Sequence, residues 1–241
     1  MQHPPSSQPR ATTARPACVF SADAVLAENR GMERTRNVDL PVLYFGTPVA
    51  LITTVNPDGS SNISPISSAW ALGDRYMLGL GAEGQAYANL QRVGELVINL
   101  PSADLASAVE AIAPTTGRTP VPEEKRASYR HESDKWSLGG FTRVGSQDVL
   151  PPRIGECPVQ IEARVAQLIE IDGGSAVAVE AEILRVHAYE SILRPQGPDR
   201  VDTDKWQPLY YSFRHYFAQG PRVGSNFRAP LLDEPAPVMS S

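Results

Sequence analysis

Cysteine is nearly missing from this 241-residue chain: Cys18 and Cys157 are its two thiols, and no CxxC occurs. That excludes a disulfide scaffold, a zinc cluster or a thiol redox centre, and both thiols are expected to be reduced in a cytosolic setting. Histidine is almost as scarce. None of the four is spaced with Asp, Glu or Cys as a metal ligand would be, so no metal site is expected. Positive charge is not in excess: 22 Lys and Arg against 27 Asp and Glu leave a formal net charge of −5. Broad attraction to nucleic acid or to an anionic membrane is therefore not expected. No apolar run approaches the roughly 20 residues that cross a bilayer. The first 16 residues, MQHPPSSQPRATTARP, lack the apolar core of a signal peptide. A cytoplasmic protein is the expectation.

What remains is ordinary globular composition, 41% hydrophobic and 20% charged, in a chain long enough for one substantial domain. The Pro, Gln, Ser and Thr content of residues 1–31 reads as a disordered tail. Met32, followed by ERTRNVDLP, stands as an alternative start of the native chain. Residues 32–225 read as a single domain, and 226–241, containing APLLDEPAPVMSS, as a C-terminal tail.

The richest segment is Ser60 to Trp70, SSNISPISSAW. It gathers the hydroxyls of Ser60, Ser61, Ser64, Ser67 and Ser68, the amide of Asn62 and the ring of Trp70. Small neutral hydrogen-bonding groups at the end of a hairpin strand suit a phosphate or a planar polar ligand. Acid/base hydrolysis would want a His or a carboxylate pair here. The pattern points to a cofactor that brings its own chemistry.

Apolar runs at 40–46 and 48–56 predict strands, and Asn56-Pro57-Asp58-Gly59 supplies a turn before a returning strand at 60–66. Residues 75–81 predict another strand. Ala86, Leu90 and Val93 then fall at i, i+4 and i+7, a short helix. GELVINLP is a strand, and Ser102 is placed to cap a second helix bearing Leu105, Ala108, Val109 and Ile112. Residues 114–150 are irregular, with one helix expected around 122–135. The best β signal follows. Val159, Ile161, Ala163, Val165, Ile169 and Ile171 share one face, opposite Gln160, Glu162 and Arg164. Asp172-Gly173-Gly174 predicts a hairpin turn, and the phase change at Ile183–Leu184 predicts a β-bulge. Long antiparallel strands of this kind belong to a barrel or a curled sheet.

Residues 79–84 spell Gly-Leu-Gly-Ala-Glu-Gly after a strand and before a helix, with Asp104 twenty residues beyond Gly84. On paper this is a dinucleotide fingerprint. The hairpins on either side lack the strand–helix alternation that a Rossmann half requires, so a Rossmann dehydrogenase is the weaker reading. The helix N-terminus at Gly84 and Gln85 still offers a seat for a phosphate.

Taken in order, GTPVALITTVNPDGSSNISPISSAW, GQAYANLQRVGELVINLP, PPRIGECPVQIEARV, the long hairpin and VDTDKWQPLYYSFRHYF resemble the flavin reductase-like proteins over roughly residues 40–220. The resemblance implies a mainly β fold with a few helices, the FMN-binding split β-barrel, a Greek-key-like antiparallel barrel. It further implies FMN at the interface of a homodimer, NADH or NADPH as hydride donor, and in many relatives a partner monooxygenase supplied with reduced flavin. Carried over by position, Asn62, Ser64, Pro65 and Ser67 line the flavin, and Ser68 and Trp70 continue the block. Gly84, Gln85 and Asn89 fall at the polar turn near the phosphate. Relatives often have Asp-Thr and a basic residue there; Gln85-Ala86-Tyr87 replaces them, leaving Arg92 or a more distant Arg as the phosphate's cation. Where relatives carry a Gly-rich segment before a Tyr, this chain has Tyr211-Ser212-Phe213-Arg214-His215-Tyr216. Arg214 and His215 are the candidate catalytic residues, beside the flavin or a small-molecule substrate.

By its own chemistry each group has a plainer reading. Trp70 reads as a core or interface ring, His187 as a surface or interface residue, and Cys157 as a small buried hydrophobe. An enzyme acting directly on an organic substrate, shaped by the Phe213–Phe217 segment, is the alternative function. A non-catalytic flavin-binding module is a third.

Overall fold

The apolar run before Asn56 and the hydroxyl-rich run after it pair as β2 (Ala50–Val55) and β3 (Ser61–Ile66), Thr54 opposite Asn62 and Ile52 opposite Ser64. Gly59 has φ +85°, and Asp58 Oδ1 accepts the Ser60 N–H at 2.9 Å, so the predicted turn chemistry closes the hairpin. A computed structural model of the protein describes residues 33, 35–195 and 199–227. The expected tail at 1–31, the alternative start Met32 and most of the tail at 226–241 lie outside these residues. The chain divides into two compact units, 1–41 and 42–241. The described residues of the first hold no helix or strand.

In the second unit, β1 (Phe45–Pro48) precedes the hairpin, and β4 (Ala69–Leu72), β5 (Arg75–Gly81), α1 (Gln85–Arg92) and β6 (Glu95–Leu100) follow it. Next come α2 (Ala106–Ile112), β7 (Thr115–Thr116), β8 (Arg130–His131), α3 (Lys135–Gly139), β9 (Arg143–Val144) and β10 (Arg153–Ile154). Two long strands, β11 (Val159–Ile171) and β12 (Ala176–Ala188), and the small hairpin β13 (Tyr210–Ser212) and β14 (His215–Phe217) complete it. Seven strands form one antiparallel sheet in the order β3-β2-β6-β11-β12-β5-β4. It curls, but its edges β3 and β4 do not pair, so the fold is a split barrel rather than a closed one.

The glycine motif is resolved by this topology. β5 runs into α1 as a Rossmann strand would, yet β6 beyond the helix pairs antiparallel with β2 and β11 and not with β5. Gly79 has a packing reason instead: a Cβ there would lie 2.7 Å from Ser68 Cβ.

Both faces of the sheet are covered. Ala50, Ile52, Leu78, Leu96, Ile98, Ile161, Val177 and Val179 fill the barrel. On the outside, Leu51 and Ile63 pack with Val109 and Ile112 of α2, Trp136 of α3, and Ile154, Cys157 and Leu209. Fully burying side chains of this size contributes about 1.5–3 kcal/mol each. Cys157 is one of them, and burial pushes its thiol well above the ordinary range.

Some sequence expectations fail for identifiable reasons. The strand expected over 40–46 begins only at Phe45, because its partner β13 ends at Ser212, opposite Phe45. The helix expected around 122–135 is a 3₁₀ turn at Glu123–Lys125 followed by α3. Asp134 caps α3 by accepting Ser137 N–H at 3.2 Å, and buried Trp136 anchors it. Ser102 makes no cap; its hydroxyl bonds Asp104 instead, and a 3₁₀ turn at Ala103–Leu105 leads into α2.

The bulge expected at Ile183–Leu184 is present: Glu162 faces Arg185 and Ala163 faces Ile183, leaving Leu184 unpaired. On the polar side of β11 Arg164 is exposed, but Gln160 and Glu162 are closed off from water. The segment 145–152 lies over Glu162, which is fully buried. Its carboxylate accepts the N–H groups of Gln147 (2.9 Å) and Asp148 (2.6 Å) and lies 2.7 Å from His187 Nε2. His187 is therefore a positioned partner of Glu162 and not a free surface residue. Burial raises the pKa of Glu162, but the Asp148 and Gln147 N–H groups and His187 outweigh it and hold the carboxyl below its ordinary 4.5. A depressed carboxyl stabilises the fold above its unfolded value, and that contribution is lost as pH falls through the folded one. Glu162→Gln should cost about 1–3 kcal/mol at pH 7, since buried donors lose a charged acceptor. Urea unfolding should show that difference shrinking towards pH 3; a pH-independent difference would contradict the assignment.

Candidate functional site

On β3, Ile63 packs outward into the second core while Asn62 and Ser64 turn the other way, Asn62 Nδ2 donating to Ser64 Oγ at 2.9 Å. Beyond them a cavity of about 250 Å³ opens. Its floor is Ser64, Pro65 and Ile66, its one side the β5 end and the first turn of α1, its other side Thr115, Thr116 and Gly117. Two side chains press on the Gly117 backbone here. A Cβ on Gly117 would lie 2.7 Å from Asn62 Oδ1 and 3.1 Å from Gln85 Cγ.

The cavity's charge comes from a segment whose sequence looked irregular. Lys135, in the first turn of α3, is 4% exposed, and its ammonium donates to the carbonyls of Ile63 (2.9 Å) and Thr115 (3.4 Å). Burial, with nearby Lys125 adding to it, lowers its pKa from 10.5 to about 8, Glu132 opposing. Lys125 also lines the cavity, and its pKa too is lowered, chiefly by burial, with Glu83 pulling the other way. Among the described residues that line the cavity there is no carboxylate and no imidazole. Thr116 Oγ1 accepts the Arg118 N–H at 3.1 Å, which leaves its own hydrogen for a ligand.

Two further recesses adjoin. One of about 790 Å³, with Asn56, Asp58, Arg118 and His131 in its wall, shares Gln85 and Gly117 with the cavity. The other, about 370 Å³, shares Pro65, Ile66, Ala113 and Tyr129 and extends to Ser67, Tyr211, Arg214 and Tyr216. The three form a continuous groove.

Of the residues expected from sequence, Ser64, Pro65, Gly84 and Gln85 line the central cavity. Asn62 lies at its junction with the larger recess, and Ser67 and Arg214 line the smaller one. Asn89 is buried behind this surface. It accepts from Gln85 Nε2 (2.9 Å) and donates to Thr54 Oγ1 (3.0 Å) and Asn56 Oδ1 (2.8 Å), tying α1 to the hairpin. Ser68 Oγ is 2.9 Å from Tyr44 OH and packs on Gly79. Trp70 is 56% exposed on the edge strand β4, outside the groove. Arg92 donates to Val55 O, a further link between α1 and β2, which leaves Lys125 and Lys135 as the cations of the cavity. His215 is exposed, its Nδ1 2.8 Å from Phe213 O. Sequence reasoning missed Lys125, Lys135, Thr115, Thr116, Gly117 and Tyr129. The one signal for them was Asp134-Lys135-Trp136, a capping residue and a large apolar ring either side of a lysine.

The flavin reductase like domain matches residues 42–220. The chain belongs to that family. Membership implies flavin as cofactor and oxidoreductase chemistry. An uncharacterized protein of Bacillus subtilis (strain 168), YdfE, is 42% identical over 199 residues, 81% of this chain and 95% of that one. Among solved structures, flavoredoxin of Desulfovibrio vulgaris (Miyazaki F) superposes with a TM-score of 0.67 at 22% identity, covering 82% of this chain and all of the other. Nitrilotriacetate monooxygenase component B from Bacillus cereus gives 0.62 at 15% identity, over 90% of this chain and 100% of its own. At such identities these structures attest the fold. No helix among the described residues is long and apolar enough to cross a membrane.

Gly117→Ala tests the close approach at the cavity's edge. The added methyl forces Asn62 or Gln85 aside, so urea unfolding should show a loss of about 1–3 kcal/mol. An unchanged midpoint would mean that the two side chains yield freely.

Proposed function

We propose that this protein is an FMN-dependent oxidoreductase of the flavin reductase type, working as a homodimer and taking hydride from NADH or NADPH. The observation that carries this reading is the buried ammonium of Lys135 in a cavity with no acidic or imidazole side chain. A desolvated cation held by two carbonyls calls for an anion. The Thr116 hydroxyl, Lys125 and the N-terminus of α1 stand ready to share it. A flavin phosphate meets those donors. The neutral groups Asn62, Ser64, Pro65 and Gln85 then face the uncharged remainder of the cofactor. Bound flavin supplies the hydride acceptor, which is why the cavity needs no proton-transfer pair.

The chain's own tasks are to bind, orient and exclude water. Pro65 and Ile66 give an apolar floor on which a planar ring can rest, and Gly117 leaves room for the Asn62 and Gln85 side chains. Phe45, Trp70 and Leu72 are exposed large apolar side chains on neighbouring strands β1 and β4, a surface suited to the partner subunit. Delivery of reduced flavin to a monooxygenase fits the same reading.

Two measurements test this. Anaerobic NADH or NADPH should bleach the flavin band of the FMN-saturated protein, and sedimentation of that sample should give about twice the 26.1 kDa of one chain. A bound flavin that neither nucleotide reduces would end the reductase reading.

Lys135 supplies the pH dependence. In the free folded protein its proton leaves near pH 8, whereas the unfolded chain keeps it to about 10.5. This group therefore lets stability rise between those values, since the unfolded state holds more protons there. A bound anion acts the other way and favours the charged form. FMN affinity should be flat up to about pH 7 and fall above pH 8, by no more than about tenfold per pH unit for a single proton. Lys135→Met should weaken FMN at pH 7 by about tenfold or more, as expected for losing a charge-assisted contact of about 1.5–3 kcal/mol. It should also flatten the decline above pH 8. Fluorescence titration across pH 6–10 reads both effects.

A further inference from the structure

The smaller recess adjoining the cavity is built differently from the cavity itself. Its walls are aromatic and aliphatic: Val49, Val109, Tyr211 and Tyr216. The Tyr211 ring is wedged edge-on between Tyr44 (5.5 Å) and Tyr216 (5.9 Å), so these walls are rigid. One cation, Arg214, lies in the wall.

How Arg214 is held is unusual. It and Phe213 form the two-residue turn between β13 and β14, with φ +68° and +44°. Glycine and asparagine are the ordinary occupants of such a turn, and two large side chains there strain the backbone. The Phe213 ring stacks edge-on against Phe45 at 4.8 Å, which offsets part of that strain. Strain of this kind persists where a side chain must be presented in one place. Arg214 has no ion pair among the described residues. The other charged group facing the recess is Glu110, and it accepts a hydrogen bond from Tyr216 OH at 3.0 Å. Burial and Glu110 both push the Tyr216 hydroxyl well above its ordinary value, so it stays a neutral donor.

We propose that this recess is a second binding site, for a planar aromatic monocarboxylate seated beside the flavin cavity, with Arg214 receiving the carboxylate. This rests on the flavin reading only for what the site adjoins. A volume of about 370 Å³ admits one or two fused rings and is too small for a dinucleotide. Tyrosine faces suit a flat ring, and a guanidinium fork matches a carboxylate bidentately. Glu110 tells against a second negative charge on the ligand.

Calorimetric titration of the FMN-loaded protein with 2-naphthoate and with its uncharged amide, 2-naphthamide, decides the matter. The acid should bind at least tenfold more tightly than the amide. Arg214→Asn should bring the two within threefold while amide binding stays unchanged. Asparagine accepts the left-handed backbone, so the turn should survive. Arg214→Lys, keeping the charge without the fork, should retain part of the preference. Equal binding of acid and amide by the native protein, a preference that persists in Arg214→Asn, or binding of neither compound would overturn the proposal. Titrating FMN itself in parallel separates the two ideas. Loss of FMN binding with the acid preference intact would sink the flavin reading alone, and the reverse would sink this site alone.

Discussion

The site depends on how an edge strand disposes of its outward carbonyls. β3 ends the seven-stranded sheet, so its backbone groups facing away from β2 have no strand to pair with. Left buried and unpaired, each would cost about 1–3 kcal/mol. Two side chains from one short helix meet this demand: Trp136 Nε1 donates to Ser61 O at 3.1 Å, and Lys135 Nζ donates to Ile63 O at 2.9 Å. The same pair blocks the edge against association with another chain. Because an indole and an ammonium do the work of a neighbouring strand, a buried cation is carried into the cavity beside Lys125. Arg143, 4.6 Å above the Trp136 ring, backs the arrangement from outside. Structural need and chemical opportunity thus fall on one residue.

A second buried charge follows the same logic on another face. Glu162 sits on β11 where alternation places a polar side chain, and segment 145–152 covers it. The carboxylate gives that loop an acceptor for two successive N–H groups, and a loop without regular structure needs one. Lys135 offers donors to orphan carbonyls; Glu162 offers an acceptor to orphan amides. In each case an irregular segment is fixed to a regular sheet by a charge that the sheet's own alternation does not require.

This explains what could be read from the sequence and what could not. The hairpin at Asn56–Gly59, α1 behind Gly84 and the bulge at Leu184 are local matters of turn chemistry, period and phase, and they were legible. Ser64, Pro65, Gly84 and Gln85, singled out through their place in ordered blocks, line the central cavity. Asn89 and Trp70 have suitable chemistry at suitable positions, but tertiary neighbours decide whether a side chain faces a cavity, the core or water. Lys135 shows the opposite failure. In the run Glu132-Ser133-Asp134-Lys135 it looks like one more solvated charge, and only the β3 edge that it crosses, 72 residues away in sequence, makes it buried. A pattern of period 2 or 3.6 carries no information about such a partner.

On the proposals above, the groove divides recognition between two cations. Its centre holds Lys135, a lysine whose proton burial makes weakly held. Its smaller arm holds Arg214, whose guanidinium presents a planar fork of donors. That arginine is fixed by backbone strain and aromatic packing rather than by an ion pair. The two cations belong to different elements, α3 and the β13–β14 turn, and the spaces they line share uncharged residues: Pro65, Ile66, Ala113 and Tyr129. On the two proposals above, a change at the turn alters what approaches the cavity without loosening what occupies it.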